Sequence, residues 1–305
     1  IRRIENQIRD DILDKTQVVC CTCIGSGNEI LDGRRFPQVL IDEATQATEP
    51  ASLVALTRGA RQVVLVGDHK QLPPTVISFR AEEKGLRRSL FERLVGLGIE
   101  PLLLSTQYRM HPAISKFPNQ HFYSNKLNDG VKAENRPSPA GLLWPDWDNP
   151  VAFIPVDGGE VVSPDGTSRE NPAEVAWVIK ILNDILEAGE ITKKDIGIIT
   201  PYAGQVRAIR NSMSEKLDDV EVKTVDGYQG REKEVIIFSC VRSNPEQNIG
   251  FLSEMRRLNV ALTRAKRGLI VIGDPSTLRG DKNWQAWLEY VRDSKFEAWH
   301  LLGMN

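Results

Sequence analysis

The sequence predicts an α/β fold in which parallel sheets are covered by helices on both faces, and three observations carry that prediction. Short apolar runs rich in Val, Ile and Leu alternate with segments of helical periodicity, the pattern of successive βα units. Several runs end in polar or acidic clusters, as strands do when they deliver side chains to the edge of a buried parallel sheet. The alternation stops in a proline-rich stretch and then resumes, so the chain reads as two α/β units parted near Ser105, residues 1–105 and 106–305.

The elements follow in order. Ile1, Ile4, Ile8, Ile12 and Leu13, with charges between them, predict an amphipathic helix over residues 1–15. Residues 16–24 read as a strand, 25–33 as a loop, and 38–41 as a strand that ends in Asp42-Glu43. A short helix at 50–56 leads to a strand at 61–66, which closes on Gly67-Asp68-His69-Lys70-Gln71. A helix at 86–97 puts Leu90, Phe91 and Leu94 on one face, and Leu102-Leu103-Leu104 reads as the next strand. Between positions 137 and 172, seven prolines and two tryptophans mark an irregular surface segment with one strand at 151–156. Beyond it, helices are expected at 171–186, 203–213, around 257–264 and at 284–291. Strands are expected at 196–199, 220–225, 235–241 and 269–272.

At 305 residues the chain can bury a substantial core, and its 41% hydrophobic and 26% charged residues are ordinary for a globular protein. A formal net charge of −2 leaves any nucleic-acid contact to local basic clusters. No apolar stretch approaches the roughly 20 residues that span a bilayer, and no secretory leader opens the chain. The expected setting is intracellular, cytoplasmic or nuclear, without membrane contact. Three of the four cysteines form Cys20-Cys21-Thr22-Cys23. On a strand they alternate faces and cannot converge on one metal, so they are expected to be core thiols in a reducing compartment.

The polar clusters carry the chemistry. A carboxylate delivered at a strand end can hold Mg²⁺ beside a nucleoside triphosphate, which fits Asp42. A second carboxylate next to it can orient or deprotonate the attacking water, which fits Glu43. Taken alone, the pair also fits a strand that ends in a solvated acidic turn. The partner element, a glycine-rich loop ending Gly-Lys-Ser/Thr that wraps phosphates, is absent: none of the 23 glycines is followed by lysine, and the chain opens with Ile1. The expectation is the downstream part of a longer polypeptide, one that by itself hydrolyses essentially no ATP.

Gln71 carries an amide that can both donate and accept, so it can register a terminal phosphate, and the stiff Leu72-Pro73-Pro74 beside it can pass that signal on. In Gln107-Tyr108-Arg109-Met110-His111-Pro112, Arg109 offers a permanent charge in a planar fork and Tyr108 a face for a base. A surface ion pair is the plainer reading of Arg109. The stretch from Thr224 to Glu232 is a glycine-punctuated loop able to approach a ligand closely. Arg256, Arg257, Arg264, Lys266 and Arg267 put five cations on or beside one predicted helix; this is either a solvated basic face or, through Arg264 on the face of Val260, a contribution to a cleft.

These segments, in this order, closely resemble superfamily 1 helicases of the nonsense-mediated-decay (up-frameshift) and senataxin-like group. Asp42 to Pro50 resembles motif II, Gly67 to Pro74 motif III, Gln107 to Pro112 motif IV, Thr224 to Glu232 motif V and Leu258 to Lys266 motif VI. The resemblance implies RecA-like P-loop NTPase domains, the end of a first one in residues 1–105 and a complete second one in 106–305. It implies ATP and Mg²⁺ as cofactors and single-stranded RNA as the track, with DNA as the alternative, travelled 5′ to 3′.

Carried over by position, Asp42 binds Mg²⁺, Glu43 polarises water and Gln71 senses the γ-phosphate. Arg109 and Arg264 are the arginine fingers, Tyr108 stacks on adenine, and Gln229, Gly230 and Glu232 lie near the nucleotide. Nucleic acid falls to Thr22, Pro73, Pro74, Thr200, Pro201, Tyr202 and Val225. Leu72-Pro73-Pro74 looks senataxin-like, whereas residues 45–50 and Gly250-Phe251-Leu252 look closer to the decay factors. Two rivals stand beside this reading: a binding or scaffold module without hydrolysis, and a DNA-directed helicase.

Overall fold

The computed structural model describes residues 2–302, and the chain divides into two compact units: Ile1–His69 with Pro73–Pro101, and Lys70–Leu72 with Leu102–Asn305. In the first unit, helix α1 (Arg2–Lys15) forms as its periodicity predicts, with Ile4, Ile8 and Ile12 each more than half exposed. Strands β1 (Gln38–Ile41) and β2 (Gln62–Leu65) pair in parallel, Leu40 opposite Val64. Helix α2 (Glu49–Leu56) carries Pro50 in its first turn, where a missing N–H costs nothing. Helix α3 (Phe79–Glu83) lies where no periodicity predicts one, and Ser78 caps it by accepting from the Ala81 N–H. Helix α4 (Leu90–Gly96) starts later than expected because Ser89 caps it, accepting from the Glu92 N–H.

Three expectations for this unit are corrected. Residues 16–24 join no strand ladder. Thr22 instead accepts the Gly25 N–H at 3.0 Å and Ser26 donates to the Cys23 carbonyl, which winds the segment into a 3-10 turn at Gly25–Gly27. Cys20 and Cys21 are accordingly exposed, so they are not core thiols; only Cys240 is buried. Strands β1 and β2 are also less buried than their apolar runs suggest, with Leu40 and Val64 more than half exposed.

The second unit contains β3 (Thr106–Gln107), α5 (Pro112–Phe122), β4 (Asn128–Asp129), β5 (Val151–Pro155), β6 (Val161–Val162) and β7 (Arg169–Glu170). It continues with α6 (Pro172–Glu187), β8 (Ile196–Thr200), α7 (Ala203–Ser212), β9 (Glu221–Thr224) and β10 (Lys233–Ser239). Last come α8 (Met255–Leu262), β11 (Ala265–Gly273), α9 (Pro275–Leu278) and α10 (Lys282–Asp293). Five strands form one all-parallel sheet in the order β5-β11-β10-β8-β9.

Alternate strand residues point to opposite faces, and both faces are covered. Phe153, Ile236, Phe238 and Val271 pack with residues of α5, α8 and α10. Ala152, Ile154, Ile198, Ile237 and Ile270 pack with residues of α6 and α7. This is the α/β sheet with helices on both faces that the sequence predicts, of the RecA-like kind.

Two local readings are corrected here. Leu102-Leu103-Leu104 is not a strand, and Leu102 is 98% exposed. The pairing lies a few residues on, where Thr106 sits opposite Asn128. Helix α8 ends at Leu262, so Arg264 does not share its face with Val260 and Arg257; it stands in the turn into β11, whose first residue Ala265 pairs with Lys233.

Candidate functional site

In the first unit the acidic pair sits where the β1–β2 ladder runs out. The Val66 N–H donates to the Ile41 carbonyl at 2.9 Å and the Ala44 N–H to the Val66 carbonyl at 2.7 Å, which fixes the backbone on both sides of Asp42 and Glu43. Glu43 has φ +51, a left-handed conformation uncommon for a residue with a Cβ. Its N–H donates to Asp42 Oδ1 at 2.9 Å, and its Oε2 accepts from Gln46 Nε2 at 2.7 Å. Both carboxylates are exposed. The turn therefore presents two oriented acidic groups while Ala44 and Thr45 behind them are buried.

In the second unit Arg264 and Arg109 both reach Thr263. Arg264 is buried, 2% exposed, and its guanidinium is held by three hydrogen bonds. Nε donates to the Val260 carbonyl at 3.1 Å, and Nη2 to Thr263 Oγ1 at 3.1 Å and to Gln71 Oε1 at 2.7 Å. Asn259, in the same motif, donates to the Lys70 carbonyl at 2.9 Å. Arg109 reaches the Thr263 carbonyl at 3.1 Å through Nη1 and Glu232 Oε2 at 2.6 Å through Nε. Lys266 approaches the other oxygen of Glu232 at 3.1 Å. Burial pushes the Glu232 carboxyl up, but the hydrogen bonds from Arg109 and Lys266 outweigh it and hold the group below its usual range.

The Arg109 segment is braced from several sides. Gln107 Oε1 accepts the N–H groups of Arg109 and Met110 at 3.0 and 2.8 Å. Arg136 donates to the carbonyls of Arg109 and Tyr108 at 3.1 and 3.4 Å. His111 Nδ1 accepts the Ala113 N–H at 3.0 Å and caps α5. Burial lowers its pKa against the pull of Asp129, which suits a ring that must accept. Tyr108 is 69% exposed and its ring lies against Gly130, where a Cβ would overlap it. Gln107 and Lys266 stand inside the motifs read from the sequence, whereas Arg136 is legible only through its distances.

Gln229 and Gly230 stand in the loop between β9 and β10, Gly230 at φ +75. Gln229 Nε2 is buried without a hydrogen-bond partner among the described residues. Of the nucleic-acid candidates, Thr22 is exposed and belongs to the first unit, while Pro73 and Pro74 are buried. Thr200, Tyr202 and Val225 are buried at the C-terminal edge of the sheet, with Pro201 partly exposed. The Val225 N–H donates to the Thr200 carbonyl at 3.1 Å, and Thr200 Oγ1 is buried and unpartnered among the described residues.

A family profile described as "AAA domain" matches residues 86–276, and a second of the same description matches residues 1–79. The chain belongs to the AAA domain family. This AAA chain is 46% identical over 302 residues to a Regulator of nonsense transcripts 1 homolog of Neurospora crassa, covering 96% of the chain and 28% of that protein. It is 45% identical over 301 residues to the homolog of Drosophila melanogaster, covering 96% of the chain and 25% of that protein. It is 45% identical over 291 residues to the ATP-dependent helicase NAM7 of Saccharomyces cerevisiae, covering 93% of the chain and 30% of that protein. The up-frameshift resemblance read from the motifs is thus borne out. The AAA chain spans roughly a quarter to a third of the length of these relatives.

The AAA chain's residues fit the cofactors that such relatives imply. Mg²⁺ is commonly held by one or two carboxylates together with water and substrate phosphates rather than by an all-protein cage. Asp42 is an exposed carboxylate of that kind, and no cluster of three or more acidic, His or Cys ligands occurs among the described residues. The cations Arg109, Arg264 and Lys266 and the orphaned Gln229 amide offer donors for phosphate or base oxygens. No helix among the described residues is long and apolar enough to cross a membrane.

Proposed function

We propose that this chain is the downstream part of an ATP-dependent RNA helicase motor that moves 5′ to 3′ on a single strand inside the cell. Residues 1–105 are the end of a first RecA-like domain, and residues 106–305 are the second. Asp42 holds Mg²⁺ and Glu43 orients the attacking water. Gln71 senses the γ-phosphate, and Arg109 and Arg264 neutralise charge on it during transfer. Tyr108 stacks on the adenine, and Gln229, Gly230 and Glu232 line the nucleotide. Thr22, Pro73, Pro74, Thr200, Pro201, Tyr202 and Val225 follow the strand backbone, whose phosphate contacts position without reading sequence.

The observation that carries this reading is the 2.7 Å hydrogen bond from Arg264 to Gln71. It couples the expected phosphate sensor to an expected arginine finger, so one phosphate can act on both. The relatives named as ATP-dependent helicases and as regulators of nonsense transcripts support both the reaction and the RNA track. ATP turnover and duplex unwinding by the full-length protein test it. Stimulation by single-stranded RNA, abolished by Glu43→Gln, is expected, and stimulation by DNA alone would refute the RNA assignment.

A further inference from the structure

Phe251 stands on the 3-10 turn Gly250–Ser253 with 58% of its surface exposed, although the loop that carries it is tightly held. Leu252 beside it is buried, and its carbonyl accepts from Trp284 Nε1 at 3.0 Å. Gly250 adopts φ +53, and a Cβ there would overlap the side chains of Arg242 and Tyr202. The Phe251 N–H donates to Tyr202 Oη at 3.3 Å, and the same hydroxyl meets Arg242 Nη1 at 3.2 Å. Arg242 is in turn anchored by Glu160, Nε to Oε2 at 2.6 Å, with both side chains only 6% exposed.

The ring itself has two neighbours. Arg257 lies over it, Cζ 5.3 Å from the centroid, and Tyr202 lies 5.6 Å away at a tilt of 48°. Arg257 is oriented by Asp226, at 3.1 Å from Nε and 3.3 Å from Nη2. Tyr202 and Asp226 follow the C-terminal ends of β8 and β9, the edge where ligands of parallel α/β sheets bind. Single exposed apolar residues are ordinary on protein surfaces. Phe251 differs in being oriented by a cation and a second aromatic ring on a braced turn, which is the composition of a base-stacking platform.

We propose that Phe251 is a stacking residue for a base of the single strand, with Arg257 and Tyr202 fixing its ring. This rests on the helicase reading and adds to it a contact with a base. Base–aromatic stacking tolerates any base, so the contact grips the strand without reading its sequence.

The test is fluorescence anisotropy of the full-length protein with labelled oligouridine and oligothymidine, for wild type, F251A, F251L and F251W. F251L, which keeps apolar bulk and loses the π face, is expected to weaken binding about ten-fold, as is F251A, whereas F251W restores it. The slope of log Kd against log salt stays unchanged, because no phosphate contact is removed. Wild-type affinity in F251L, or an F251W variant as weak as F251A, overturns the proposal while leaving the helicase reading intact. Failure of the wild-type protein to bind either strand removes the helicase reading first and this inference with it.

Discussion

The Val241 N–H donates to both carboxylate oxygens of the fully buried Glu174, at 2.9 and 2.8 Å. Val241 has φ +74, and the Arg242 N–H donates to the Cys240 carbonyl at 2.9 Å. The strand end is therefore a γ-turn in its rare, strained form. Asn171 Nδ2 holds the Val241 carbonyl at 3.1 Å, and Ser239 Oγ donates to Glu174 at 2.5 Å. A β-branched residue occupies this conformation only where its surroundings over-determine it. Here Glu174 holds the N–H of Val241 and Asn171 its carbonyl, so the peptide units on both sides of one residue are clamped, and the product of the turn is the placement of Arg242 against Tyr202.

That clamp makes stability depend on pH. Burial pushes the Glu174 carboxyl from 4.5 up to about 8, against the downward pull of the Ser239 and Val241 hydrogen bonds. The folded state then binds a proton more tightly than the unfolded chain, so this contribution is complete below pH 4.5 and is lost as pH rises through about 8. Urea midpoints of the wild type are expected to fall across that window, and Glu174→Gln should flatten the dependence. Glu174→Ala should cost about 3 kcal/mol, because the Val241 N–H and Ser239 hydroxyl lose their acceptor beside a new cavity. An unchanged pH slope in the Gln variant would remove Glu174 as its source.

Arg264 meets Val260, Thr263 and Gln71 through a planar fork, a geometry that lysine cannot reproduce. If it neutralises the transferring phosphate, Arg264→Lys and Arg109→Ala should each lower the RNA-stimulated ATP turnover of the full-length protein by about 10³. Nucleotide affinity should change far less. Steady-state kinetics on Arg264→Lys decide the matter, and a turnover within three-fold of wild type would count against the role.

Trp284 is fully buried, stacks with Phe238 at 6.0 Å and donates to the Leu252 carbonyl. Trp284→Ala should destabilise the second unit by about 4 kcal/mol. Trp284→Phe should cost less, about 1–2 kcal/mol, chiefly for the carbonyl left without its donor. Chemical denaturation of the two variants checks both values, and a Trp284→Phe variant as stable as the wild type would show that the indole N–H contributes nothing.

The thiols should separate by burial. Cys20 and Cys21 are exposed, whereas burial raises the Cys240 thiol well above its usual value and that of Cys23 more modestly, with Cys21 adding to the latter. A disulfide exchange reagent should label the exposed pair quickly, Cys23 more slowly, and Cys240 only in denaturant. Fast labelling of Cys240 in the native protein would contradict the packing of β10.

The period of the apolar residues determined much of this protein by itself. The central stretches of β5, β8, β10 and β11, buried on both faces, appear in the sequence as apolar runs because each residue there meets a packed neighbour. Helices α6 and α10 show their buried stripes for the same reason. The order of the polar motifs was likewise enough to indicate the family. Tertiary structure decided what local pattern leaves open. Residues 16–24 carry strand propensity yet join no ladder, because a strand exists only where another chain segment takes up its hydrogen bonds. Only the packed fold could set Arg109 against Glu232, Arg264 against Gln71, and Glu174 beneath Val241. Those pairs lie 123, 193 and 67 residues apart along the chain, and neither spacing nor composition carries information over such separations.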